Sequence, residues 1–115
     1  MARIALAIPL ALALATPAGQ AAGTEPRAYD ATPASGCYLV AKEQIPGASW
    51  IKHRPAHIRW HSRDHATAIV WFPADRTDWL AACDVRYEGD GAYYQVLELT
   101  PYTGPLPTEP TIITP

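Results

Sequence analysis

His57-Ile58-Arg59-Trp60-His61-Ser62-Arg63-Asp64-His65-Ala66-Thr67-Ala68-Ile69-Val70-Trp71-Phe72 is the stretch that decides the fold. Its first five residues alternate, with Ile58 and Trp60 on one side and His57, Arg59 and His61 on the other. Successive side chains of a strand point to opposite faces, so strict alternation marks a half-buried strand. Residues 62–65 are polar and turn the chain, and residues 67–72 then run apolar through Ile69, Val70 and Trp71. Two such runs joined by a short polar link predict a β-hairpin.

Downstream, Asp75 is a helix N-cap candidate with Asp78 three residues on. The segment predicts one short helix over residues 75–82, with Trp79 and Leu80 turned inward. Residues 83–87 and 92–99 flank Glu88-Gly89-Asp90-Gly91, whose glycines and aspartate permit the positive φ of a tight hairpin. The second of these strands carries Tyr93, Gln95, Leu97 and Leu99 on one face and Tyr94, Val96 and Glu98 on the other. Both sets mix apolar and polar residues, so the pattern does not choose the inner face.

Upstream, Cys37, Tyr38, Leu39, Val40 and Ala41 form a short apolar run that predicts a strand, and residues 45–49 are a Pro-Gly loop. The strand count falls short of an immunoglobulin-type sandwich, and Val96 stands where that pattern wants cysteine. The expected fold is mainly β, bordering on α+β. It is a small antiparallel sheet of four to five strands with one short helix, stapled by one disulfide.

The outermost segments are of different composition. Arg3, the apolar residues 4–15 and the small residues Ala18, Gly19, Ala21 and Ala22 follow the order of a secretory signal. The apolar run is too short for a bilayer span, which takes roughly 20 residues. Residues 1–21 are expected to be the signal peptide, with cleavage before Ala22 and alternatives after Ala18 or Gly23. Residues 22–35 read as a flexible leader, residues 36–102 as the folded domain, and residues 103–115 as a Pro-rich C-terminal tail. The tail is expected to be extended, as a disordered end or a docking arm.

The chain has two cysteines, Cys37 and Cys83. An even count behind a secretory signal predicts a disulfide in an oxidising compartment, periplasmic or extracellular. Nine basic residues against eleven acidic ones leave a net charge of −2, which argues against a nucleic-acid binder. The charge is uneven. Lys52, Arg54, Arg59 and Arg63 form a basic stretch with no acid among them, and residues 75–109 carry seven acidic residues against two basic ones.

All four histidines, His53, His57, His61 and His65, are spaced by four. On a helix that spacing would line up zinc ligands, but on a strand it separates them by roughly 13 Å. Pro55 and the alternation of Ile58 and Trp60 favour the strand. The face with His57, Arg59, His61 and Arg63 is therefore expected to bind a carboxylate, a phosphate or an acidic protein surface. Its plain structural reading is a solvated strand face that gains charge below about pH 6.5. Trp50, Trp60, Trp71 and Trp79 supply contact anchors or core filling.

No nucleophile stands beside a base, and no phosphate loop or dinucleotide fingerprint is present. The expected function is a non-enzymatic exported binding module of the inhibitor, adaptor or accessory-subunit type. Its partner would be a protein or cell-wall component, with no nucleic acid, no cofactor and no membrane span after signal cleavage. The alternatives are a metal-binding protein using His57 and His61, with His53 or His65, and a small secreted hydrolase.

Overall fold

The hairpin expected from residues 57–72 forms, and the rest of the sheet is laid down beside it. The computed structural model describes residues 25–49 and 54–115; the expected signal peptide, Trp50, Lys52 and His53 lie outside the described residues. The elements are β1 (Arg27–Ala28), α1 (Pro33–Lys42), β2 (His57–Ser62), β3 (His65–Ala74), β4 (Thr77–Glu88), β5 (Gly91–Tyr102) and β6 (Thr111–Ile113). Six strands make one sheet in the order β1-β5-β4-β3-β2-β6. Neighbours are antiparallel except β6, which runs parallel to β2 with Thr111 opposite His57 and Ile113 opposite Arg59. The fold is mainly β with one disulfide, as expected. The sheet is larger than the expected four to five strands, and β6 makes it mixed.

Along β3, Ala66, Ala68, Val70, Phe72 and Ala74 alternate inward and are buried. Trp79, Ala81, Cys83 and Val85 of β4 face the same way, because Phe72 pairs with Trp79 and Ala68 with Cys83. Small alanines on this face let α1 lie close against the sheet. Phe72 is wholly buried, a burial worth about 1.5–3 kcal/mol. Tyr38 of α1 meets it edge to face at 5.4 Å.

The helix is where a strand was expected, at residues 37–41. A short apolar run reads alike in a buried strand and a buried helix turn. The deciding signal lies just upstream. Thr32 is the N-cap in extended conformation, its Oγ1 accepts the Ser35 N–H at 3.3 Å, and Pro33 opens the first turn. Gly36, Cys37, Val40 and Ala41 then fall on one helical face, all buried. A Cβ at Gly36 would lie 2.1 Å from the Tyr94 ring, so only glycine lets helix and sheet approach this closely. Residues 33–35, expected in the leader, are the first turn of α1, and Arg27 and Ala28 pair with β5.

The helix expected over residues 75–82 is absent. Asp75 and Arg76 take left-handed φ values of 51° and 68° and form the two-residue turn between β3 and β4. Trp79 therefore points to the helix side and Leu80 to the opposite face. The last long strand has its ambiguity settled by a bulge. Ala82 pairs with Glu98 but Cys83 pairs with Val96, so Leu97 is the extra residue. Tyr94, Val96 and Leu99 all become buried, although their numbers do not alternate.

The Cys37–Cys83 disulfide joins α1 to β4 with a Cα–Cα distance of 5.6 Å. No helix among the described residues is long and apolar enough to cross a membrane.

Candidate binding face

Among the described residues no helix lies on one side of the sheet, and the strand alternation puts polar residues there. His57, Arg59 and His61 project from β2, His65 and Thr67 from β3, and Asp84 and Arg86 from β4, as the register dictates: Arg59 opposite Thr67, Thr67 opposite Asp84, His65 opposite Arg86. The register shifts between Trp60 and Ser62, at His61, which stays beside Thr67.

The result is a polar row across three strands. The His61 ring nitrogen Nε2 and Thr67 Oγ1 are 2.7 Å apart. The rings of His61 and His65 lie 4.8 Å apart between centroids. His65 Nε2 meets Asp84 Oδ1 at 2.5 Å, and Arg86 Nε donates to Asp84 Oδ2 at 2.9 Å. Burial pushes the Asp84 carboxyl up, but hydrogen bonds and positive charge from His65 and Arg86 outweigh it, and its pKa falls below the ordinary value. Asp84 thereby neutralises part of the face. Arg59 is exposed and, among the described residues, makes no ion pair.

The expected site residues are brought together in part. Arg59 and His61 stand on the open face with His65, Asp84 and Arg86 added from neighbouring strands. His57 sits apart, its ring edge-on to Trp71 at 4.9 Å. Arg63 is in the β2–β3 turn and borders a cavity of about 330 Å³ with Trp60, Ser62, Thr114 and Pro115. The histidine brought next to His61 is His65, across the hairpin, where a four-residue separation along one strand would have kept them apart. Among the described residues no three His, Cys, Asp or Glu side chains are grouped to hold a metal ion.

Near the row, Pro26, Asp84, Arg86, Glu88, Tyr93 and Gln95 line a cavity of about 220 Å³. At the same end of the molecule β1 and the β4–β5 turn enclose about 630 Å³ lined by Tyr29, Asp30, Tyr87 and Asp90. Sequence reading missed this cavity, because β1 is two residues long and carries no periodic signal. Tyr29 is held there by its hydroxyl contact to Glu43, which raises its pKa, and Arg27 pairs with the same carboxylate at 3.0 Å.

No protein-family profile, curated protein or solved structure matches this chain.

Proposed function

We propose that the chain is an exported, non-enzymatic binding module that docks an acidic surface of another macromolecule in the cell envelope or outside the cell. The observation that carries this reading is Arg59. Among the described residues it makes no ion pair and projects from the sheet face opposite α1, which also holds the neighbouring His61 and His65. A desolvated guanidinium gains a strong, bidentate hydrogen-bond pair from a carboxylate or phosphate. A polar sheet face with Arg59, His61 and Arg86 exposed suits a macromolecular surface better than a small ligand, which is held in deep, mostly apolar pockets. Export rests on the charged, apolar, small-residue order of residues 1–22 and agrees with a domain closed by a disulfide.

The test is site-specific photo-crosslinking in the producing cells, with the probe at Arg59 or His61 and a control at Lys42 on the helix. The reading expects one discrete adduct from the two sheet positions and none from Lys42. Binding of that partner to the purified chain should weaken with added salt and be lost in Arg59→Glu. Equal labelling from all three positions, or an Arg59→Glu variant that binds as well as the parent, would sink it.

A further inference from the structure

The last strand is attached to the sheet in an unusual way. β5 ends at Tyr102 near one edge, and β6 begins at Thr111 beyond the opposite edge. Tyr102 lies opposite Asp78, which pairs with Pro73, whereas Thr111 lies beside His57, which pairs with Ile69. The connection must therefore cross four strand spacings and shift four residues along the sheet. At ~4.8 Å per spacing and ~3.3 Å per residue that diagonal is ~23 Å. Residues 103–110 have a fully extended reach of ~30 Å. They form a strap with little slack.

The strap is stiff as well as taut. Pro105, Pro107 and Pro110 favour an extended backbone without internal hydrogen bonds. Its first turn is pinned, since the Tyr102 hydroxyl donates to the Pro105 carbonyl at 2.6 Å and Gly104 lies against the same ring. The strand it delivers is weakly held. Among the described residues, 111–113 pair with β2 alone, and all three are exposed, Ile112 at 67 % and Ile113 at 46 %. Beneath them, the outer edge of β2 is a row of backbone donors and acceptors that forms a template for a pairing strand.

We propose that β6 is an exchangeable strand: the edge of β2 accepts residues 111–113 of a second copy of this chain, in the same parallel register, and two copies associate by reciprocal exchange. The occupant is a second copy because every contact it makes already exists within one chain, so no new complementarity is needed. The strap favours it because a taut proline-rich connection loses little by pointing outward, while closure within one chain uses most of its length.

The test uses the full chain carrying Arg59→Cys and Ile113→Cys, which are register partners across β2 and β6. The native cysteines are joined to each other, so a short bis-maleimide reacts only with the new thiols. Equal amounts of ¹⁴N- and ¹⁵N-labelled protein are mixed, incubated at high concentration, crosslinked and separated by size. Exchange predicts mixed-isotope crosslinks between positions 59 and 113 in the dimer fraction and same-isotope crosslinks in the monomer. A second variant lacks residues 107–110, which leaves a reach of ~17 Å, too short for closure within one chain. It should dimerise at least about tenfold more tightly and give only crosslinks between chains. Same-isotope crosslinks alone at every concentration, or a shortened variant that stays monomeric with its 37–83 disulfide intact, would overturn the proposal.

Discussion

At Tyr94 a ring, a hydroxyl and a glycine depend on one another. The ring fills the space above Gly36, and the buried hydroxyl donates to the Ala31 carbonyl at 2.5 Å just before the helix. Tyr94→Phe keeps the ring and leaves that carbonyl without the hydroxyl, and it should cost about 1 kcal/mol in a urea titration. Burial first, with Tyr87 and Asp30 adding, pushes the Tyr94 pKa up to about 12. A raised folded-state pKa means stability present below the unfolded value near 10 and lost as pH rises towards 12. The alkaline limb of stability against pH should therefore be shallower in Tyr94→Phe than in the parent. Asp84 works in the opposite direction. Its lowered pKa gives stability that is full above the unfolded value near 4 and lost as pH falls through the folded one. Asp84→Asn should be less stable than the parent at pH 7, with the gap closing on acidification. A gap that persists below the folded pKa would show that packing, not ionisation, is what Asp84 supplies.

At the scale of elements, what could be read from the residues depended on how local the deciding contacts are. The hairpin of residues 57–72 and the strands around Gly89 were legible because their alternation and turn chemistry are adjacent in the chain. The β3–β4 turn was not, because Asp-Arg is a poor match for two left-handed residues, and Asp75 resembled a helix cap. A non-glycine residue in that conformation costs roughly 1–2 kcal/mol. Arg76→Gly should raise the thermal midpoint, a gain of up to about 1 kcal/mol after the extra entropy of an unfolded glycine is subtracted. An unchanged midpoint would mean that the strain is relieved within the turn. α1 was misread because its apolar run is short and its signal, Thr32-Pro33, precedes it. β6 had no legible signal at all: a three-residue strand among prolines is created by the edge it pairs with.

For the whole molecule, the face proposed for binding was half legible. Alternation put Arg59 and His61 on one side, but a single strand cannot show that His65, Asp84 and Arg86 join them from strands one and two turns later in the chain. The disulfide was legible from the even cysteine count behind an expected secretory signal, and it ties α1 to a central strand. Linking residues 46 apart stabilises by about 4 kcal/mol through the unfolded chain, so a Cys37→Ala, Cys83→Ala variant should lose 2–4 kcal/mol, read from denaturant midpoints. Both cysteines are also wholly buried between α1 and the sheet. A thiol reductant in solution cannot reach the bond until the helix lifts away. The rate of reduction at saturating reductant is then a clock for that lifting, and it separates local opening of the helix layer from global unfolding.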